Sequence, residues 1–562
     1  MVKYLILLLF VYSVSAVTSF IEEGKRAKLF ELTDDEISVF KITIPDDEYK
    51  ALIDKCQYTN TANVEWSNVD VENTDEFRIT VSEDDSYKTK NATLSVEIQG
   101  EKKSFKKVTL SLGGHSARSY GRTSFNIKIR GNKDLYGRSQ FRLRSDARDA
   151  TTIRSKLACD IHNRLGLVSI SANYVSLYIN DDYMGLFVLM DAPKLSWAKL
   201  VYDDENTTHL YKCKECNNAD VESSATKCVN ENEEITENTE WIEFLTTLDN
   251  AQSAEDIEDI FDVDQFLYEI AYEYLSGSWD HFLFNGHNYS VYKVKNGKWT
   301  VILYDFDADL GQDAHYICIY PHQTDSTDYP SYSFNEFIYY HQHLIDILIL
   351  RDPSRFNAII KDFVKKAFNP TILFPRIDEL KDLIRSEKIK EKTPDENGNI
   401  PGLINKSNTF DYSLEQWDAN SEFTMVSNNS MNTAYGLKYW ILMRYRFVCK
   451  AYDIECDPLY MDENYQFSIN KNVESHFEEF DSKNDQPPQQ NVTSSSITDE
   501  MEKTTSVDYT VTITSTFTTT RSIATATSIV IDSDTTEYVN DNEIEVEVND
   551  NEIDNDSDTD SI

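Results

Sequence analysis

Apolar residues alternate with polar ones through much of the first third of the chain, and recur at helical spacing through much of the last third. Val39 to Ile44 alternates as a strand does, and Pro45 with the two Asp residues after it starts a short helix to Ile53. Ala92 to Ile98 and Ser104 to Leu112 read as strands joined by a Gly-Glu-Lys-Lys turn, and Ser124 to Arg130 as another strand. Gly113-Gly114 ends one of them, where bare amides suit either an ordinary turn or the approach of a phosphate. Asp149 to Leu165 is predicted helical, because Ile153, Leu157, Ile161 and Leu165 repeat every four residues and Gly166 is a natural stop. Val175 to Ile179 and Gly185 to Leu189 form a hairpin around Asn180-Asp181-Asp182. Val263 to Leu275 is an apolar-rich helix. Phe334 to Ile349, Pro353 to Phe368, Pro375 to Glu387 and Asn432 to Tyr452 follow with helical spacing. The fold class is α+β, with a β-rich N-terminal lobe and a mainly helical C-terminal lobe.

Between the lobes' patterns lies Ser278 to Gly311. His287 to Val294 is a strand, Asn296-Gly297 a type I′ turn, and Lys298 to Leu303 the return strand. The polar residues sit at the two ends of this hairpin. Asp280, Asn285 and Asn288 precede it, and Asp305, Asp307 and Asp309 follow it. A hairpin folds back on itself, so the two groups meet. Clustered oxygen donors suit a hard divalent cation such as Mg²⁺, which is usually held by one or two carboxylates plus substrate phosphates. An Asp, an Asn five residues on, a hairpin and then a metal-binding Asp is the layout of protein kinases. Asp and Asn in solvated turns are the ordinary alternative. A calcium loop is excluded, because Gly311 falls one place late and Tyr316 stands where the closing Glu belongs. Conventional kinases are excluded too. Ser278-Trp279 replaces their His-Arg before Asp280, and Phe306-Asp307 replaces Phe-Gly after Asp305.

Charge narrows the partners. Acidic residues number 97 against 54 basic, a net charge of −43, which argues against nucleic acid. Met1 to Ala16 has the Lys, apolar run and small residues of a secretory leader, with cleavage expected after Ala16. No later segment is apolar for long enough to cross a bilayer, and the polar Asp556 to Ile562 lacks the apolar tail of a lipid-anchor signal. Eight cysteines in a secreted chain favour disulfides of unreadable connectivity over a zinc knuckle at Cys213, Cys216 and Cys228. Sequons at Asn91, Asn206, Asn405, Asn428 and Asn491 fit a glycoprotein; the one at Asn288 is expected to be buried and unmodified. Residues 466–562 are a Ser/Thr-rich, acidic, low-complexity tail too poor in apolar residues to fold alone. The division is therefore 1–16 leader, 17–465 folded domain and 466–562 tail. Within the domain, about 30–200 is the first lobe, 201–245 an inserted Cys-bearing loop and 246–465 the second lobe.

The hairpin with its flanking Asp and Asn resembles the spore-coat-protein-H (CotH) kinase family. So do TSFNIKIRG (Thr123 to Gly131), NYVSLYINDDYMGLFVLMDA (Asn173 to Ala192), HLYKC (His209 to Cys213) and GLKYWILMRYRF (Gly436 to Phe447). The resemblance implies a secreted, two-lobed atypical protein-kinase-like fold that binds ATP with Mg²⁺ or Mn²⁺. Asp280 would orient or deprotonate the acceptor hydroxyl. Asp305, with Asn285 or Asn288, would hold the metal, and Asp307 is a further ligand candidate. Lys128, on a predicted strand, would reach the phosphates as kinase lysines do, although a solvated Lys fits the same alternation. Asp191 stands where the family usually has the Glu that orients such a lysine. The implied partners are a protein substrate or a host or wall surface protein. A surface adhesin or invasin, or a spore-wall structural protein, that keeps the fold without catalysis is the alternative.

Overall fold

The computed structural model describes residues 19–57, 63–64, 79–80, 87–114, 118, 120–319, 327–338, 342–406, 411–428 and 432–476. The leader, His115-Ser116, Asn491 and nearly all of the acidic tail lie outside these residues. A unit formed by 60–84 and 487–562 contributes, among the described residues, the short antiparallel pair Asn63–Val64 with Ile79–Thr80. Everything else below belongs to the other unit.

Seven strands close into a barrel: β1 (Ser38–Thr43), β2 (Lys88–Ile98), β3 (Glu101–Gly113), β4 (Ser124–Ile129), β5 (Gln140–Arg144), β6 (Ala172–Ile179) and β7 (Asp182–Asp191). The order around the barrel is β1-β2-β3-β4-β5-β7-β6, and β6 returns to β1 in parallel. Alternation explains the inside. Phe125, Ile127 and Ile129 of β4 meet Phe141 and Leu143 of β5 and Val175 and Leu177 of β6 in one apolar core. The β6–β7 hairpin is apolar on both faces because it is covered twice. Tyr174, Val188 and Met190 face outward into a second, larger core. Two tight turns shape the barrel. Asn180 and Asp181 both take left-handed φ, as do Gln99 and Gly100. The second turn is shorter than expected, so Lys102 and Lys103 lie in β3 rather than in the turn.

Helix α1 spans Arg154–Leu165 and starts five residues later than its apolar repeat suggested. Asp149 is the reason. Its carboxylate accepts the backbone N–H groups of Thr151 at 2.8 Å and Arg154 at 3.0 Å, which holds the chain in a turn before the helix. The polar side of α1 is buried as well. Arg154 pairs with Asp149 at 2.6 Å, and Lys156 pairs with Asp160 and Asp34. A buried charge needs such a partner to be tolerated.

The second core is built, among the described residues, on a four-stranded sheet, on the helix Thr239–Asn250 with its buried Trp241, Phe244, Leu245 and Leu248, and on four longer helices. The strands are β8 (Leu210–Cys213), β9 (Cys228–Asn230), β10 (Tyr289–Lys293) and β11 (Trp299–Leu303), in the order β9-β8-β10-β11. The segment read as an inserted loop therefore supplies two strands of this sheet, with Leu210 to Cys213 paired to β10. A Cys213–Cys228 disulfide ties β8 to β9, a second joins Cys449 to Cys456, and Cys56, Cys159 and Cys216 are buried thiols. The loop between β10 and β11 has left-handed φ at Asn296 and not at Gly297, so the turn is not type I′, which needs both.

The four longer helices are α2 (Val263–Ser276), α3 (Ser354–Lys366), α4 (Pro370–Lys392) and α5 (Leu437–Ala451). Two helical expectations fail. Phe334 to Ile349 is broken into short pieces, and Asn432–Ala434 is a strand paired with Val426–Asn428 before α5 begins. Two sequons also change meaning. Asn405 and Asn428 are buried, and the Asn405 amide donates to the Arg118 carbonyl at 2.9 Å, whereas Asn91 and Asn206 are exposed. No helix among the described residues is long and apolar enough to cross a membrane.

Candidate active site

Helix α2 ends at Gly277, whose left-handed φ of 67° turns the chain sharply into the loop that carries Asp280. Glu273, buried in the last turn of α2, grips that loop from below. Its carboxylate accepts the N–H groups of Phe282 at 3.2 Å and Leu283 at 2.9 Å. His281 ties the loop to the far end of the hairpin. Burial holds its imidazole down at about 3, so it is neutral. Nε2–H then donates to the Tyr304 carbonyl at 3.0 Å, and Nδ1 accepts from the Ser278 hydroxyl. On the other side, the Tyr304 N–H donates to the Asn288 carbonyl at 2.9 Å. These bonds fix the entry and exit of the hairpin against one another.

The side chains then converge. Asn285 donates to Asp280 Oδ1 at 2.9 Å, and Asn288 donates to Asp280 Oδ2 at 2.9 Å and to its main-chain carbonyl at 3.1 Å. Each oxygen of the carboxylate is thus held by an amide. Burial raises the Asp280 carboxyl above its usual range, nearby His287 and Arg148 oppose this, and the charge of Asp305 adds to it. Asp305 and Asp307 keep 19% and 15% of their side-chain surface exposed, so the acids face an opening. Strain gathers here. Asp146, Asn288, Asp305, Leu310 and Asp313 all hold left-handed φ without being glycine, which costs energy and is characteristic of functional sites.

Of the residues singled out by sequence, the structure brings together Asp280, Asn285, Asn288, Asp305 and Asp307. It does not bring Lys128 and Asp191 to them as a pair. Lys128 is exposed on the outer face of β4, opposite Gln140. Asp191 is fully buried, bound in bidentate fashion by Arg138 and by the Ser171 N–H. The lysine–acid pairing is corrected for a physical reason: Arg138, from the loop before β5, already neutralises Asp191.

The residue that the sequence reading passed over is Arg144. Its guanidinium Nη2 donates to Asp305 Oδ1 and, at 3.2 Å, to Asp307 Oδ2. Arg142, two residues earlier on the same face, stacks 4.8 Å over the Tyr304 ring. Arg148 lies 5.3 Å over the Trp279 ring and 3.8 Å from Asp313. The signal was present in Gln140–Arg144, where Phe141 and Leu143 alternate with Arg142 and Arg144. An apolar-in, basic-out strand of only five residues is easily read as loop.

The donors are hard oxygens, which fit Mg²⁺ or Mn²⁺ rather than a soft metal. Both Asn amides spend their NH₂ groups on Asp280, so their carbonyl oxygens are turned away from it. Among the described residues no three His, Cys, Asp or Glu side chains stand together as a preformed metal cage.

Deeper acids give the site a pH signature. Burial pushes Asp309 up to about 8 and Asp313 up to about 6. In the unfolded chain both would lose their protons near pH 4. Between pH 4 and these raised values the folded state binds more protons, so stability falls as pH rises. A melting series from pH 5 to pH 8 is expected to show a steady decline, about 1 kcal/mol per pH unit for each group within its window. Asp309→Asn should flatten the slope. A stability that climbs over this range would rule the assignment out.

The arrangement defines a mixed α+β protein whose acidic site lies at the two ends of a β-hairpin. The model of the CotH kinase protein family matches residues 110–448, and the chain belongs to that family. Inner spore coat protein H of Bacillus subtilis (strain 168) is 23% identical over 220 residues, 37% of this chain and 60% of that protein. Invasin CotH3 of Rhizopus delemar is 24% identical over 378 residues, 62% of this chain and 60% of that protein. The matches thus span 60% of the length of each relative. The crystal structure of the Helicobacter pylori proinflammatory kinase CtkA is 13% identical, with 50% of this chain and 94% of that one covered at a TM-score of 0.21.

Proposed function

We propose that this chain is a two-lobed atypical protein kinase that transfers the γ-phosphate of ATP to Ser or Thr of coat, wall or extracellular proteins. The observation that carries the reading is the meeting of Asp280, clamped by Asn285 and Asn288, with Asp305 and Asp307 across the hairpin. Phosphoryl transfer needs positioning and charge stabilisation more than covalent chemistry. The clamp holds the Asp280 carboxylate in one orientation. Its raised proton affinity suits a group that accepts the proton of the acceptor hydroxyl as that oxygen bonds to phosphorus and the bond to the β–γ bridging oxygen breaks. Asp305, Asp307 and an Asn carbonyl oxygen would hold Mg²⁺ or Mn²⁺. When bound, the metal supplies positive charge to the phosphates. Secretion is part of the proposal, supported by the leader-like N-terminus, the two disulfides, and relatives named for a spore coat and an invasin.

The test is transfer of label from ATP to a protein acceptor, run with wild type, Asp280→Asn and Asp305→Ala side by side. Label from wild type alone supports the kinase. A second reading, a surface-binding protein without catalysis, is favoured by the match to an invasin over 62% of this chain. Thermal-shift titration separates the two. The kinase is expected to gain several degrees with ATP and Mn²⁺ together, which corresponds to about 3 kcal/mol at a hundredfold excess over the dissociation constant. An unmoved melting curve at millimolar nucleotide would leave the surface-binding reading.

A further inference from the structure

Arg144 sits where a cation is wanted. Its Nη2 reaches both Asp305 and Asp307, and its Nε lies 3.6 Å from Asp146 Oδ1. One positive charge therefore faces three carboxyl groups. Asp146 is buried and held at left-handed φ, with the Ser155 hydroxyl and the Arg144 guanidinium as the polar groups that act on it. The lysine of the kinase layout, Lys128, does not stand against the hairpin acids, whereas Arg148 feels the charges of Asp307 and Asp280. Lys128 faces Gln140, and Arg144 is four residues further along β5, about 13 Å at strand rise. Arg142 and Arg148 are stacked on Tyr304 and Trp279. Among the described residues, Arg144 is the basic side chain that pairs with both hairpin acids.

We propose that Arg144 occupies the divalent-cation position of the nucleotide-free site, and that it yields Asp305 and Asp307 to the entering metal and turns to the nucleotide's phosphates. The inference rests on the kinase reading and deepens it by naming the phosphate-binding side chain. Two cations cannot share the same carboxylate oxygens at bonding distance, so metal alone must compete with Arg144. A triphosphate changes the balance. A guanidinium binds phosphate oxygens through paired N–H groups as well as it binds a carboxylate. Metal and nucleotide therefore enter cooperatively, each making room for the other.

The experiment is calorimetric titration of the full chain with Mn²⁺ alone, with a non-hydrolysable ATP analogue alone, and with both. Wild type is expected to bind Mn²⁺ weakly alone and at least tenfold more tightly with the analogue. Arg144→Gln is expected to bind Mn²⁺ alone at least tenfold more tightly than wild type, and to lose most of the gain from the analogue. Unchanged Mn²⁺ affinity in Arg144→Gln, with wild type still binding Mn²⁺ and analogue together, overturns this inference and leaves the kinase reading standing. Tighter Mn²⁺ binding in the variant, with no analogue binding by either protein, overturns both the kinase reading and the phosphate-binding half of this inference, and leaves Arg144 only as the side chain that stands in the cation's place. Should Arg144→Gln not fold, Arg144→Lys carries the same comparison. Its single ammonium bridges both acids less well, so Mn²⁺ affinity should rise several-fold, and equality with wild type overturns the proposal.

Discussion

A purified Asp305→Ala protein is expected to transfer phosphate about 10²–10³-fold more slowly than wild type while melting cooperatively, a loss of about 3–4 kcal/mol of transition-state stabilisation. The size follows from the position. Asp305 lies two residues past the end of β11, is held at left-handed φ, and carries a partly exposed carboxylate against the opening. Removing it leaves Asp307 and the Asn carbonyls, which cannot fix a cation against the phosphates alone. The fold should tolerate the change, because Arg144 keeps Asp307 at 3.2 Å and the His281 bond to the Tyr304 carbonyl does not involve the Asp305 side chain. Asp280→Asn is expected to be as slow for a different reason. Its new NH₂ would face an Asn donor where a carboxylate oxygen now accepts. The two variants should separate in binding. Asp305→Ala should lose the metal dependence of nucleotide affinity, and Asp280→Asn should keep it. Equal labelling by Asp305→Ala and wild type would end the kinase reading.

What could be read in the chain follows from how local the cause was. The hairpin and its flanking acids were legible, because a β-hairpin is set by neighbouring residues and topology alone brings its ends together. The inner face of the barrel was legible in part. Phe125, Ile127 and Ile129 alternate openly, but β5 hides behind its arginines. Arg144 could not be placed from sequence, since its partners are 161 and 163 residues away. Asp191 and Lys128 failed together for the same reason. Whether a strand Lys meets an acid depends on which cation reaches that acid, and Arg138 is 53 residues from Asp191. The start of α1 was misplaced because an apolar repeat marks a buried face, while Asp149 decides where the helical hydrogen bonds begin. The strands of 210–213 and 228–230 were missed because a short strand is stabilised by its pairing partner, here β10 for the first and the first for the second, rather than by its own composition.

Gly277→Ala should cost more stability than any single loss at the hairpin acids, and it should disable Asp280 without touching it. Two independent penalties meet at this position. A φ of 67° disfavours any residue with a Cβ, by about 1 kcal/mol. The added methyl would also stand 2.3 Å from Trp440 Cζ2 and 2.5 Å from Cη2. Trp440 cannot step aside: it is buried at 1% exposure, and its indole N–H donates to the Leu275 carbonyl at 3.1 Å. Overpacking of this kind costs about 1–3 kcal/mol, so the total is about 2–4 kcal/mol. The strain is relieved by moving the loop, three residues before the carboxylate that Asn285 and Asn288 hold. A melting point lowered by several degrees, together with at least tenfold slower transfer, is the expected pair of results. The companion variant Trp440→Phe separates the causes. In that background Gly277→Ala should recover the steric part and keep the backbone part, leaving a penalty near 1 kcal/mol, about what the left-handed φ alone costs. A full penalty in the Trp440→Phe background would show that the indole is not the obstacle, and an absent penalty in wild type would mean that α2 does not turn at Gly277.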